Sequence, residues 1–323
     1  MKRSKTLRFD CGARIRMTNE PGKDPIGLLL AGGTGSRLFP TTKSVNKHLL
    51  HVYDKPLIYY SLSLLMLIKV REVIFICRPE DEAAFRGLFG DGSQWGMTLN
   101  YVHQDEPHGI AEVFLLCAQQ IGNRDSVLVL GDNLIHGSNL ASVLQRVLEE
   151  NVGASILGYP VKNPEAFGVV ELSGDHEVLS LEEKPDQPRS NLAVPGFYCY
   201  DGRAVEFAKS LKPSQRGELE ITDLNRLYLA DGSLKAVDLG RGVAWLDGGT
   251  PEGLFEASQY VRTMQRRNGL MIASPEEMAW RNGWIDRSDL VALCEKNKSN
   301  DYFNLLHEIC VRPQSKSVLN PSD

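Results

Sequence analysis

The chain has 323 residues, 42% hydrophobic and 24% charged, the balance of a soluble globular fold with a sizeable core. Its formal net charge is −5 with an isoelectric point near 5.9, so no global positive field draws in nucleic acid and an anion site must be a local cluster. The longest nearly apolar run, LIYYSLSLLMLI at 57–68, is 12 residues with two serines, too short to span a bilayer.

The first 25 residues carry seven basic and three acidic side chains but lack the apolar segment of a secretory signal. They are expected to form a disordered N-terminal extension (1–25), ahead of a core over 26–250 and a helical region over 251–323 with a frayed tail. Cys11, Cys77, Cys117, Cys199, Cys294 and Cys310 are scattered, mostly in apolar runs, without a C-x-x-C pair. Buried free thiols in the reducing cytoplasm are the expectation.

From residue 26 the pattern alternates. IGLLLA (26–31), EVIFIC (72–77), LNYVHQ (99–104) and SVLVLGD (126–132) are strand-length runs, and stretches with helical spacing at 56–69, 79–88 and 111–121 separate them. Such repetition predicts a parallel sheet with helices on both faces and ligands beyond the carboxyl ends of the strands. After 154 the strands crowd: ASILGYPV, GVVELS, VLSLEEKP and NLAVPGFYCYD predict an antiparallel extension of the same sheet, interrupted by helices near 203–211 and 219–231. Past VAWLDGG (243–249) the pattern is helical, and SPEE (274–277) reads as an N-cap with an acidic first turn. The predicted class is α/β: a Rossmann-like, mixed, mostly parallel sheet flanked by helices, with a helical C-terminal appendage.

Two turns stand at strand ends. In AGGTGSR (31–37) the glycines expose backbone N–H groups, and Arg37, Lys43 and Lys47 supply cations, a combination suited to phosphate. The third glycine of the Rossmann fingerprint and the G-K-[ST] of a Walker A loop are both missing. In GDN (131–133) Asp132 either caps a following helix or holds a hard cation that accompanies a polyphosphate. Asp247, in AWLDGGT, is the second candidate, and the two aspartates meet at one metal only if the fold brings their strands together. SLEEKP (180–185) adds Lys184 as a phosphate ligand and Glu183 as an acceptor for hydroxyls, while Thr222 and Asp223 of RGELEITD (216–223) read as helix caps. The histidines show no metal spacing and no Ser-His-Asp set, so zinc and hydrolase chemistry lack support. The sum is a nucleoside triphosphate with magnesium.

LLLAGGTGSRLFPTTKSVNKHLLHVYDKPLIYY, GDGSQWGM, LGDN, FGVVEL, SLEEKP, RGELEITD and WLDGGT, in that order over roughly 26–295, closely resemble the glucose-1-phosphate thymidylyltransferase (dTDP-glucose pyrophosphorylase) family of sugar nucleotidyltransferases. The resemblance implies Mg2+-dependent, in-line attack of glucose 1-phosphate on the α-phosphorus of dTTP, giving dTDP-glucose and pyrophosphate, a first step toward dTDP-deoxysugars such as dTDP-rhamnose. It implies catalytic roles for Arg37, Lys47, Asp132, Lys184 and Asp247, with magnesium on Asp132 and Asp247. Substrate contacts are implied for Gly32, Gly33, Gln104, Gly109, Gly168, Glu183 and Val194, with Gln104 and Gly109 at the thymine. A homotetramer is implied as well, with a regulatory site near His136, Gly137, Arg241 and Glu277.

The chain departs from the family pattern at several points. NKHLLHVYDKP stands where relatives usually read SKQLLPVYDKP, Glu112 stands for a glutamine, Phe167 for a tyrosine and Gly248 for a threonine. Two other readings remain: a uridylyltransferase of the same fold, and a non-catalytic nucleotide-sugar sensor.

Overall fold

The computed structural model describes residues 24–312, so the expectations for Cys11, the N-terminal extension and the frayed tail lie almost wholly outside the described residues. Strand β1 (Ile26–Leu30) is followed by a short ribbon of β2 (His51–Val52) and β3 (Lys55–Pro56) and by helix α1 (Ile58–Leu67). Next come β4 (Glu72–Cys77), α2 (Glu82–Phe89), β5 (Thr98–His103), the short helices α3 (Val113–Leu116) and α4 (Ala118–Ile121), and β6 (Ser126–Leu130). The middle of the chain supplies β7 (Asn133–Gly137), α5 (Leu140–Glu149), β8 (Ala154–Pro160), β9 (Gly168–Leu172), β10 (Val178–Glu183), β11 (Leu192–Ala193) and β12 (Phe197–Tyr200). Then follow α6 (Ala204–Ser210), α7 (Ile221–Ala230), β13 (Leu234–Asp238) and β14 (Val243–Asp247). Helices α8 (Pro251–Asn268), α9 (Pro275–Arg281), α10 (Arg287–Lys296) and α11 (Asp301–Val311) close the described chain.

Ten strands form one mixed sheet in the order β10-β9-β11-β8-β12-β6-β1-β4-β5, with β13 paired to β8. β5, β4, β1 and β6 run parallel, and their nearly continuous apolar sequences are what a strand covered on both faces requires. Successive residues alternate between two apolar layers: Leu29 belongs to the layer under α1 and α2, and Ile26 and Leu28 to the layer under α3, α6 and α7. β12 runs antiparallel to β6 and starts the predicted extension, which β8, β11, β9 and β10 continue.

Two elements differ from expectation. The helix foreseen over 111–121 is broken at Cys117 into two short pieces. Residues directly after GD form β7, which leaves the main sheet and pairs antiparallel with β14 as a separate ribbon.

The appendage is anchored to the core by specific contacts. In GDGSQWG, Gly92 and Gly96 adopt φ of 83° and 66°, and a Cβ on Gly96 would lie 2.9 Å from the Trp284 carbonyl oxygen, so the motif seats the C-terminal helices. The SPEE cap is present: Ser274 Oγ accepts from the Glu277 N–H at 3.2 Å. Beside it Lys55, only 4% exposed, pairs with Asp54 and faces the rings of Tyr60 and Tyr302. Tyr302, on α11, donates its hydroxyl to the buried Glu276 carboxylate.

Burial pushes the Glu276 carboxyl above its ordinary range, against the Tyr302 and Ser274 hydrogen bonds and the Lys55 charge. A raised folded pKa means that this group favours folding most below its unfolded pKa, a contribution lost as pH rises through the folded value. Tyr302→Phe should therefore cost about 1–3 kcal/mol in urea denaturation. Because a bond to the ionised carboxylate is the stronger one, the deficit should be larger at about pH 8 than at about pH 4.

Candidate active site

Leu30 and Leu130 are register partners, and the Gly131 N–H donates to the Leu30 carbonyl at 2.9 Å. The glycine turn after β1 and the GDN turn after β6 therefore open on the same edge. Gly35 has φ of 64°, and a Cβ there would lie 2.9 Å from Thr42 and 3.0 Å from Lys47, so the loop wraps the lysine stem closely. Lys47 Nζ reaches Asp132 Oδ2 at 2.5 Å.

Lys47 opens a short 3-10 turn, Lys47–Leu49, whose N-cap is Asn46. The Asn46 amide nitrogen donates to Asp81 at 2.6 Å, which leaves its oxygen to accept from the His48 N–H and from His48 Nδ1 at 2.7 Å. Burial, followed by the Lys47 charge, lowers His48 to about 3, so its imidazole is neutral at physiological pH. The departures Asn46 and His48 are thus hydrogen-bonded partners.

Asn133 sets the other side of Asp132. Its Oδ1 accepts from the Gly196 N–H at 3.0 Å and from Trp245 Nε1 at 2.6 Å, so its Nδ2 is left to donate to Asp132 Oδ1 at 3.0 Å. Asp247 ends β14 directly opposite Asn133, and the Gly248 N–H donates to the Asp132 carbonyl at 2.8 Å. The fold thus brings the two aspartates, 115 positions apart in sequence, to adjacent places. A Cβ on Gly249 would lie 2.5 Å from Arg37 Nη2, so glycine makes room for the guanidinium beside Asp247.

The charges are unequal. Burial opposes ionisation of Asp132, but Lys47 and the Asn133 amide hold it well below the usual carboxylate range. Burial and the Asp132 charge raise Asp247 to about 6, with Arg37 and Lys47 pulling the other way.

Across the cleft, Glu183 ends β10 opposite Gly168, and Thr222 Oγ1 donates to Glu183 Oε2 at 2.6 Å. Lys184 has φ of 44°, a strained setting for a side-chain-bearing residue, fixed by its N–H on the Phe167 carbonyl at 3.0 Å. Val194 donates its N–H to the Gly168 carbonyl at 2.8 Å. A cavity of about 210 Å³ is lined by Arg37, Asp132, Asp247, Glu183, Lys184 and others, and Lys47 joins it through Asp132. Four of the five residues expected to be catalytic therefore line one cavity, and the fifth, Lys47, pairs with one of the four.

Gln104, 4% exposed, lies over the glycine turn: a Cβ on Gly32 would be 2.6 Å from Gln104 Oε1. Gly109 has φ of 110° and packs on the Leu219 backbone, and its carbonyl accepts from Gln104 Nε2 at 3.2 Å. Of the four residues expected at a regulatory site, His136, Gly137 and Arg241 cluster at the far end of the β7–β14 ribbon, where Gly137 pairs with Val243. Glu277 instead lines a separate cavity of about 330 Å³ beside Ser274, Met278 and Arg281, and none of the other three reaches it.

Some expectations need correction. Thr222 is no helix cap, since it holds Glu183, and Asp223 pairs with Arg226 at 2.7 Å instead of capping. The capping alternative for Asp132 also falls, because a strand follows it. Asn133 and Trp245 were not foreseen as site residues. A buried asparagine beside a charge is a signal for such a role, but its tryptophan partner lies 112 positions away.

The family model for nucleotidyl transferases matches residues 26–264. A glucose-1-phosphate thymidylyltransferase of Neisseria meningitidis serogroup A is 51% identical over 276 residues, covering 85% of this chain and 96% of the relative. One from Mycobacterium tuberculosis is 46% identical over 286 residues, covering 88% and 99%. The chain belongs to the glucose-1-phosphate thymidylyltransferase group of the nucleotidyl transferase family. Among solved structures, a Bacillus anthracis protein assigned as such a thymidylyltransferase, in complex with sucrose, superposes with a TM-score of 0.69 at 37% identity over 74% of this chain and 96% of that one. A UDP-glucose pyrophosphorylase bound to UDP-glucose shares the fold, with a TM-score of 0.65 at 24% identity over 74% of this chain and 99% of that one.

In this nucleotidyltransferase the Trp245–Asn133–Asp132 relay is a positioning device. Trp245→Phe keeps an aromatic ring beside Tyr159 and Phe167 but removes the indole N–H that donates to Asn133, loosening the hold of the amide on Asp132. Turnover should fall about tenfold, in the range usual for partners of metal-holding or charge-bearing ligands. The folded state should lose only about 1 kcal/mol by thermal denaturation.

Proposed function

We propose that this nucleotidyltransferase moves a thymidylyl group from dTTP to glucose 1-phosphate, releasing pyrophosphate. The observation that carries the proposal is the convergence of Arg37, Lys47 and Lys184 on one cleft whose floor is the Asp132–Asp247 pair. A phosphate monoester and a triphosphate bring several negative charges to that space, and three cations set apart around it suit both.

The residues present fit magnesium. Both candidate ligands are oxygen donors, each oxygen of Asp132 carries a single hydrogen bond with capacity to spare, and the charge on Asp132 is itself one reason that Asp247 resists ionisation. Magnesium is commonly held by one or two carboxylates with substrate phosphates supplying further oxygens, and Asp132 and Asp247 are two such carboxylates. Bound there, Mg2+ would neutralise charge on the phosphates undergoing substitution.

The chain's own residues do the rest. The Gly32–Gly33 turn lets phosphate oxygens approach backbone N–H groups, and Arg37 and Lys47 offset the charge that builds as the α–β bridging bond breaks. Lys184 holds the phosphate of glucose 1-phosphate, and Glu183, fixed by Thr222, accepts from sugar hydroxyls. A phosphate oxygen of the sugar forms the new bond to the α-phosphorus, and the electron pair of the broken bond leaves with pyrophosphate. The attacking oxygen is already ionised, so no general base is needed. Positioning and electrostatics supply the acceleration.

The test is pyrophosphate release from glucose 1-phosphate and magnesium with each of dTTP, UTP, CTP and GTP in turn. The expected order puts dTTP first; a preference for UTP would overturn the thymidylyl assignment in favour of uridylyl transfer. Asp132→Asn should lower kcat by about a thousandfold or more without lowering the thermal midpoint. Turnover surviving that change would refute the metal assignment.

A further inference from the structure

We infer that Glu112 is a positioning residue that locks the side-chain amide of Gln104 with its carbonyl oxygen, not its nitrogen, facing the nucleotide base. The inference deepens the proposed thymidylyl transfer and rests on it.

Gln104 follows β5 and is tied down by its backbone N–H, which donates to the Cys77 carbonyl at 2.9 Å. Its Nε2 lies 2.8 Å from Glu112 Oε2 and 3.2 Å from the Gly109 carbonyl. Both neighbours are pure acceptors. Turning the amide over would set its oxygen against a carboxylate and a carbonyl, so the orientation follows from the chemistry of the neighbours. Glu112 is itself held, because its second oxygen, Oε1, meets His108 Nδ1 at 3.0 Å.

The consequence appears on the other side of the amide. Oε1 projects over Gly32, and no donor among the described residues meets it. Gln104 is nearly buried as a residue, yet its Oε1 is not among the buried unpaired atoms: it is the part of the side chain left open beside the glycine turn, where a ligand donor can meet it. The N3–H of a pyrimidine-2,4-dione is such a donor. Cytosine presents a bare acceptor at N3 and would leave two acceptors opposed. A glutamine at position 112, as in the usual family pattern, carries both a donor and an acceptor and would leave the Gly109 carbonyl as the one fixed acceptor, so Gln104 would have more freedom to turn. The carboxylate removes that freedom, so the departure from the pattern sharpens the choice of base.

The experiment measures kcat and KM with glucose 1-phosphate for dTTP and dCTP in the full-length wild type, Glu112→Leu and Glu112→Gln. In Glu112→Leu the ratio of kcat/KM for dTTP to that for dCTP should fall about tenfold or more, chiefly through a higher KM for dTTP. Glu112→Gln retains an acceptor but also offers a donor, and should give a ratio between those of the wild type and Glu112→Leu. A ratio unchanged within about twofold in Glu112→Leu overturns the inference, as does a parallel loss of kcat with both nucleotides, which would mark a merely structural role. Wild-type protein that turns over no pyrimidine triphosphate overturns the thymidylyl reading and this inference with it. Wild-type turnover of dTTP with an unmoved ratio in the variants overturns this inference alone.

Discussion

The parallel register that sets Leu30 beside Leu130 is the constraint on which the rest of the cleft depends. Parallel neighbours end at the same edge, so the glycine turn after β1 and the aspartate turn after β6 face one point although about a hundred residues separate them. From that point Lys47 reaches Asp132, and the neutral His48 beneath adds no second positive charge at physiological pH. A slip of one residue in this pairing would exchange the two apolar layers that Leu29 and Leu28 fill and carry the glycine turn out of line with Asp132, so packing on both faces holds this register.

The second wall comes from a different kind of pairing. β7 leaves the sheet immediately after Asp132 and finds β14, which places Asp247 across from Asn133. Asn133 then satisfies a backbone N–H from the antiparallel half, an indole N–H from the ribbon and one oxygen of Asp132. A single buried amide thereby joins the parallel half, the antiparallel half and the ribbon at the place where charge must be controlled. The oxygen accepts from both the Gly196 N–H and the indole, which leaves an N–H of the amide to meet the carboxylate and gives the aspartate a defined orientation.

Where apolar runs are long and bounded, as in EVIFIC and SVLVL, strands stood out in the sequence, and the change from parallel to antiparallel half showed as closer strand spacing. The positions of Arg37, Asp132, Lys184 and Asp247 at strand ends were legible for the same reason. NLIHG and LKAVD were not legible as strands: each is five residues, each mixes apolar with polar positions, and each pairs with a segment about a hundred or eighty positions away. Thr222 misled because a threonine at a helix start is usually a cap, and only the placement of β10 beside α7 shows its hydroxyl committed to Glu183. Local chemistry is written in neighbouring residues, whereas a relay such as Trp245–Asn133 depends on contacts that no local pattern encodes.

The departures from the family pattern make physical sense as contacting sets. Asn46 and His48 bond to each other, so the oxygen that a serine at 46 could not extend as far is available to the imidazole that replaces glutamine at 48. Glu112 meets both His108 and Gln104, and the exposed histidine's pKa is raised by its hydrogen bond to Glu112 and the charge of that carboxylate. In each set a group that bears a proton faces one that accepts it, and the set adjoins a residue of the cleft, Lys47 in one and Gln104 in the other. Changes of this kind leave the charges around the phosphates in place and alter how firmly their neighbours are held. These two sets lie one layer behind the electrostatic centre, whereas Phe167 lines the cavity itself and the Gly248 N–H bonds the Asp132 carbonyl beside it, so the departures reach both the wall and its support.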